Sequence, residues 1–344
     1  MDSLKEITNP LKYLFNVVAD KKPVSQLLKA AVLLSSLWVG AKAMKTSWNL
    51  LSFLAETFIP GPDLKRRYGK DSWALVTGAS DGLGRAFAIE LGREGLNVII
   101  VGDNSEKLLE INNYLAKTRA KPQTKIIVMD LTQVHNEGYL EEAFKDIKDL
   151  DVSIIVNAAH RSISGNFNKY TEDDIRKALT INTIAPFLIT SFFANKMNLR
   201  EKRSAVINIA AMGEIIPSFA PKLPLTPKSF LSAFTHITVP KFSSKIDFLT
   251  YKPTFFVDDI NENKENLLSV PYQKTAMSCL DMLGRRKETF GHWKHRLLSP
   301  LYRDYAWFRI FANWVAVNTS RERRPNVYIP KKGSYSNKDG HNYQ

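Results

Sequence analysis

Residues 72–84 read SWALVTGASDGLG. Trp73 to Val76 is a short apolar run with β character, and Gly78, Gly82 and Gly84 follow before a helical pattern starts at Arg85. A strand, a glycine-rich turn and a helix start make the geometry that seats a pyrophosphate on the unpaired N–H groups of a helix N-terminus. Glycine suits that turn because the bend is tight and the backbone must approach the ligand closely. A lone glycine triplet is a weak signal, equally readable as a structural turn. The strand before it and the βα alternation after it give it weight. The candidate contacts are Gly78, Ser80, Asp81, Gly82, Leu83 and Gly84.

Downstream, Ala86 to Arg93 is helical, and Asn97 to Val101 (NVIIV) is an unbroken apolar run of the kind a buried parallel strand shows. A helix is predicted from Ser105 to about Lys117. A third strand runs from Lys125 to Met129 and ends at Asp130. A fourth leads from Asp151 to Val156 and ends at Asn157. A long helical pattern covers Asp173 to about Asn198, a fifth strand Ala205 to Ile209, and a further helix Tyr272 to Leu283. Strands alternating with helices at this spacing predict an α/β fold, a Rossmann-type doubly wound parallel sheet. Such sheets bind ligands at the C-terminal ends of their strands, here Gly78, Gly102, Asp130, Asn157 and Ala211.

A chain of 344 residues holds one large α/β domain with extensions, or two small domains. Its 48 Lys and Arg against 34 Asp and Glu give a net charge of +14, which favours anionic partners such as phosphorylated cofactors or acidic lipids. No zinc spacing or RNA-binding signature accompanies the charge, so nucleic acid is not expected as a partner. Cys279 is the single cysteine, which rules out an intrachain disulfide and a cysteine metal cluster and fits a reducing compartment. The histidines show no metal spacing except the 292/295 pair, which lies among aromatic and basic residues and reads as surface; no metal is expected.

Three regions are expected: 1–60, 61–290 and 291–344. Met1 to Pro23 lacks the acid-poor, Arg- and Ser-rich look of a transit peptide. Ala30 to Ala41 is uncharged but, at 12 residues, falls short of the ~20 a bilayer needs. A second apolar stretch, Trp48 to Ala55, follows Lys42 and Lys45. Together Leu27 to Ile59 can cross or lie in a membrane if the lysines snorkel, with Trp38 and Trp48 as interfacial anchors. The alternative is a surface helix pair on a partner protein. IPGPDLKRRYGK then reads as a hinge followed by a basic cluster suited to acidic head groups. Near the C-terminus, Leu297 to Val317 carries Tyr302, Tyr305, Trp307, Phe308, Phe311 and Trp314, interrupted by Arg303, Asp304, Arg309 and Asn313. It suits a membrane interface, a partner groove or an ordinary packed helix, and not a span. The basic tail after it is read as extended or draped on a partner.

TGASDGLG, VNAA at 156–159 and LTIN at 179–182 resemble a short-chain dehydrogenase/reductase. The apolar N-terminus, the SWALVTGASDGLG entry, and IIPSF followed at a distance by KSFL are similar to membrane-bound very-long-chain 3-oxoacyl-CoA reductases and their 17β-hydroxysteroid dehydrogenase type 12 relatives. The resemblance spans roughly 50–300 and weakens after Lys245. It implies ketone reduction with hydride from a nicotinamide cofactor. In that family a tyrosine donates the proton, a lysine four residues later lowers its pKa, a serine holds the substrate oxygen and an asparagine orders a water.

Against that pattern, Asn182 stands at the asparagine position and Lys228 at the lysine position, but Ala211 takes the serine's place and Pro224 the tyrosine's. Alanine has no side-chain donor and proline no titratable group. General acid catalysis is worth ~10²–10⁴ in rate and an oxyanion contact ~10²–10³. Pro227 predicts a helix starting near Thr226 as N-cap, which puts Lys228 in its first turn. Lys228 then reads as solvent-exposed rather than aimed at a substrate.

The resemblance also bears on the cofactor. Asp130 matches the family's acidic residue near the adenine, though a strand-end aspartate also caps turns. Asp103 stands where NADP-preferring relatives carry arginine; a carboxylate there repels a 2′-phosphate and suits the ribose hydroxyls of NAD. Asn157 is kept in NAAH, while His160 replaces a glycine and crowds the nicotinamide side, as a base or as a surface histidine. After the sixth strand Val257 falls near a threonine position of the family's cofactor-covering loop. NAD(H) or NADP(H) is expected as a retained structural ligand or not at all, and a small-molecule substrate is doubtful. The expectation is an inactive short-chain dehydrogenase fold serving as an accessory subunit among membrane lipid and other subunits, in the mitochondrial inner membrane or the endoplasmic reticulum. An active reductase and a dinucleotide sensor are the rivals. The tail lacks the terminal dilysine address many endoplasmic-reticulum relatives carry, so the organelle stays open.

Overall fold

Parallel strands must bury both faces, so their sequences are apolar at every position rather than at alternate ones. A computed structural model describes residues 22–161, 170–210, 225–242, 244–253, 255–257, 269–304, 307–308 and 310–311. In it β1 (Trp73–Thr77), β4 (Val152–Asn157) and β5 (Ser204–Ile209) are buried at every position. With β2 (Asn97–Gly102), β3 (Thr124–Val128), β6 (Ile246–Tyr251) and the short β9 (Glu288–Thr289) they form one seven-stranded sheet, order β3-β2-β1-β4-β5-β6-β9. The pairings are parallel, from Trp73 opposite Asn97 in β1/β2 to Ser204 opposite Ile246 in β5/β6. The doubly wound expectation is met, and the order reverses between β1 and β4. A separate pair joins β7 (Phe255–Val257) to β8 (Ser269–Pro271).

Helices cover both faces. On one, α3 (Gly82–Arg93), α4 (Ser105–Ala116) and α8 (Tyr272–Leu280) bury Phe87, Leu91, Leu108, Ile111, Leu115 and Cys279. On the other, α5 (Tyr139–Ala143) and α6 (Glu172–Leu199) bring Phe144, Ile189, Phe193 and Met197 against the strands. Phe144 and Phe193 meet at 5.4 Å between ring centroids. The turn Thr180–Ile184 within α6 is π-helical. α7 (Leu225–Phe242) starts one residue before the expected cap, so Thr226 and Pro227 both lie in its first turn, where proline's missing N–H removes no helical bond. α9 (Trp293–Asp304) follows the sheet. Here His295 is 2% exposed, which corrects the surface reading of the 292/295 pair. Among the described residues no cluster of metal-ligating side chains occurs.

The chain divides into two compact units, Met1–Gly61 and Pro62–Gln344. In the first, α1 (Lys22–Phe58) is one helix of 37 residues, about 55 Å long by rise per residue. The two apolar stretches are therefore a single element and not a pair: lysine is a good helix former, and Lys42 and Lys45 do not break it. Lys42 instead lies 4.4 Å from the Trp38 ring centroid. Gln26–Phe58 is long and apolar enough to cross a membrane; Glu172–Leu199 passes the same test but is 44% buried as a core helix.

The second unit begins with α2 (Leu64–Tyr68), capped by Asp63, whose side chain accepts from the Arg66 N–H. Asp247 on β6 ties α2 to the sheet. It accepts from Arg67 Nε at 2.8 Å, Tyr68 Oη at 2.9 Å and Arg203 Nη2 at 2.6 Å. Burial alone would raise its pKa, but the hydrogen bonds from Arg203, Arg67 and Tyr68 outweigh burial and hold it below the ordinary carboxylate value. Tyr68 is pushed upward by burial and by the Asp247 charge. A depressed carboxylate contributes stability that is present above its unfolded pKa of about 4 and lost as pH falls through the folded value. Asp247→Asn is thus expected to lower stability by about 2–3 kcal/mol at pH 7, because two arginines keep only a neutral partner. Denaturant unfolding should show the gap to the native chain closing as pH falls below about 4; a gap of equal size at pH 7 and pH 2.5 would contradict the assignment.

Candidate functional site

The C-terminal edge of the sheet is shaped by the turn after β1. Gly78 has φ +65°, and a Cβ there would stand 2.5 Å from Ala159 Cα on the neighbouring strand end. A Cβ on Gly84 would stand 2.1 Å from the Gly78 carbonyl oxygen. Both distances are impossible contacts, so the turn can close only with glycine at these two positions. Asp81 caps α3, its carboxylate accepting from the Gly82 N–H at 2.7 Å. The second carboxylate oxygen pairs with Lys107 Nζ at 2.7 Å, and this ammonium holds the Asp81 carboxyl below its usual range. Ser80 turns its hydroxyl toward β2: a Cβ on Gly102 would lie 2.1 Å from Ser80 Oγ. That oxygen is buried without a hydrogen-bond partner among the described residues. A glycine cradle beside an unpaired buried hydroxyl fits a nucleotide phosphate and ribose. Leu83 packs against the core on the α8 face.

The flanking acids differ. Asp103 is exposed at the end of β2, near Lys107. Asp130 is engaged as a cap: its carboxylate accepts from the Thr132 N–H at 2.8 Å and the Thr132 hydroxyl at 2.7 Å. Those bonds outweigh partial burial and lower its pKa. The turn-capping reading of Asp130 is the one the structure draws.

The inner end of the site is a buried polar chain. Asn157 is 1% exposed, and its amide donates to Asn208 Oδ1 at 2.8 Å and Thr190 Oγ1 at 3.1 Å. Asn208 donates to Thr235 Oγ1 at 3.0 Å, which donates to the Leu231 carbonyl. The Asn157 side chain thus joins β4 and β5 to α6 and α7 instead of facing the cleft. Asn182, in the π-turn, is also buried. Its amide donates to the Arg161 carbonyl at 2.8 Å, and its Oδ1 accepts from the Arg161 N–H at 3.2 Å. His160 Nδ1 lies 3.0 Å from the same oxygen; the residue is exposed, as the surface reading expected, and is hydrogen-bonded to Asn182. Beyond β6, Lys252 is 6% exposed and pairs with Glu288 Oε1 at 3.2 Å.

Of the positions expected to carry chemistry, Ala211 and Pro224 lie outside the described residues, and for Lys228 only the backbone, in the first turn of α7, is described. Two neighbours of the turn had no signal in the residue pattern. Lys107 sits one turn into α4, and Tyr272 opens α8 with its ring 3.6 Å from where a Gly82 Cβ would be. Both contacts join segments far apart in sequence.

The short chain dehydrogenase family profile matches residues 72–265, more than half of the chain. The very-long-chain 3-oxoacyl-CoA reductase of Emericella nidulans is 33% identical over 222 residues, 63% of this chain and 62% of that protein. The chain thus spans about three-fifths of that relative's length. The human inactive hydroxysteroid dehydrogenase-like protein 1 is 30% identical over 286 residues, 78% of this chain and 84% of that protein. Among solved structures, a 7β-hydroxysteroid dehydrogenase superposes with TM-score 0.61 at 18% identity, over 74% of this chain and 99% of that one. A short-chain dehydrogenase from Sphingobium yanoikuyae, solved with NADPH, gives 0.53 at 17% identity, over 76% of this chain and 100% of that one. By the family profile and the human relative, the chain belongs to the short-chain dehydrogenase family.

Proposed function

We propose that this protein is a catalytically inactive short-chain dehydrogenase that serves as a structural accessory subunit at a membrane. The observation that carries the reading is the pair Ala211 and Pro224 at the serine and tyrosine positions, beside an intact sheet. Neither side chain can donate a proton to a carbonyl or stabilise its oxyanion, which removes ~10²–10⁴ and ~10²–10³ in rate. The similarity to a human relative named as inactive supports it. The long apolar α1 supports membrane association, with the mitochondrial inner membrane and the endoplasmic reticulum both open as its home.

The second reading is a membrane 3-oxoacyl-CoA or steroid reductase with an unusual donor, favoured by the likeness to the fungal reductases. His160, hydrogen-bonded to Asn182, is a titratable group it could use. Turnover of NADPH or NADH with a long-chain 3-oxoacyl-CoA at the ~1–10³ s⁻¹ of ordinary enzymes, abolished in His160→Ala, establishes that reading. The inactive reading expects a rate no higher than the protein-free background.

A nicotinamide dinucleotide, when bound, supplies hydride in this family; here the chain's own groups are proposed to hold it as a ligand without chemistry. The Gly78–Gly84 turn receives the pyrophosphate, Ser80 and Asp103 face the ribose, and Asp81 with Lys107 closes the rim. Gly84→Ala forces a methyl group onto the Gly78 carbonyl. Calorimetry is expected to show dinucleotide affinity falling more than tenfold in this variant, together with a lower melting temperature. Unchanged binding would remove the turn from the site.

An accessory subunit should also leave the membrane in company. Mild detergent extraction followed by size-exclusion chromatography is expected to place the native chain in a stable complex several times its own 39.0 kDa. Elution as a free monomer or dimer would contradict the accessory role.

A further inference from the structure

At the opposite edge of the sheet from the glycine turn, the strands begin around a cleft of about 530 Å³. It is lined by Trp73, the first residue of β1, together with Lys65, Lys70, Asp71, Lys121 and Gln123. A five-residue strand separates this edge from the dinucleotide turn by roughly 15 Å. The cleft is therefore separate from the site above.

The walls are braced. Asn97, at the start of β2, donates through Nδ2 to the Asp71 carbonyl at 3.1 Å and accepts at Oδ1 from the Gln123 N–H at 3.0 Å. One half-buried amide thus pins the loop before β1 to the loop before β3. Lys65 comes from α2, where its Nζ passes beside Gly95; Lys70 follows α2; Lys121 comes from the α4–β3 loop. Among the described residues no carboxylate forms an ion pair with any of these three lysines. The Asp71 carboxylate likewise has no ion-pair partner there, so the lining carries three positive charges and one negative. Lys121 is also the one non-glycine residue with positive φ among the described residues, at +44°. Glycine or asparagine adopts that conformation at less cost, so a lysine held there is backbone strain at a charged rim.

We infer that this cleft binds the head group of an anionic phospholipid, with the phosphate on Lys65, Lys70 and Lys121 and head-group hydroxyls on Asp71 and Gln123. Three lysines without an ion-pair partner lining one cleft favour a phosphate by charge. The carboxylate and carboxamide beside them add acceptors and donors that a bare phosphate cannot use and a polyol head group can. The chain itself argues for a lipid source. Lys65 follows the long apolar α1 by only seven positions in the sequence. This inference rests on the proposed membrane placement of α1 and specifies the lipid that the second unit recognises.

Full-length protein in neutral detergent, titrated with dihexanoyl phosphatidylinositol and followed by calorimetry, tests it. Dihexanoyl phosphatidylcholine and inorganic phosphate are the comparison arms. Phosphatidylinositol is expected to bind at least tenfold more tightly than either. Lys70→Glu/Lys121→Glu, both at exposed positions, should weaken it at least tenfold with the far-ultraviolet spectrum unchanged. Lys121→Gly removes one charge while relieving the backbone, so it should lose affinity without a drop in melting temperature. Equal binding of phosphatidylcholine, equal binding of inorganic phosphate, or undiminished affinity in the double variant would each overturn the assignment. Because the readout is lipid affinity and not turnover or complex size, its failure leaves the inactive-enzyme reading standing, and the converse also holds.

Discussion

A parallel sheet has to be covered on both faces, and that constraint organises the second unit. Val98 to Val101, Val152 to Val156 and Ala205 to Ile209 are buried without alternation because helices press on them from both sides. The covering helices fix where the loops go. Glycine-rich and polar loops gather at one edge, where the Gly78–Gly84 turn lies, and basic loops gather at the other. Each face of that division follows from burying apolar surface, worth about 25 cal/mol per Å², and neither needs a reaction to be maintained.

That independence makes loss of catalysis compatible with retention of fold. A serine and a tyrosine that serve a substrate contribute little to a sheet buried elsewhere, and the loss of both that is proposed here would leave the core strands untouched. What the chain keeps is structural: glycines whose substitution would collide with backbone, and a buried chain from Asn157 through Asn208 to Thr235 that ties strands to helices. Asn182 shows the same division, since its side chain holds the Arg161 backbone and so has reason to stay whatever happens to the chemistry.

The strands and their helices were legible because burial writes itself into consecutive residues: NVIIV and SAVINI each carry their own evidence. The glycine turn was legible because its sterics are local. Other features left no local trace. β9 is two residues long and has no period to read. The Arg67–Asp247–Arg203 cluster joins positions some 180 apart on one side and 44 on the other, and any surface aspartate would have looked alike. Lys107 meeting Asp81 and His295 turning inward depend on packing between elements. In α1, Lys42 and Lys45 interrupt the apolar pattern without interrupting the helix, because the helical backbone tolerates lysine.

The central claim is that a dehydrogenase fold persists here without hydride transfer. The most direct measurement uses NADPH, and separately NADH, deuterated in turn at each face of the nicotinamide C4, with a long-chain 3-oxoacyl-CoA and the full-length protein at stoichiometric concentration. Mass spectrometry then reads the 3-hydroxyacyl product. The account predicts no deuterated product above the protein-free control after hours of incubation. One equivalent of deuterium appearing in the product within minutes would contradict it.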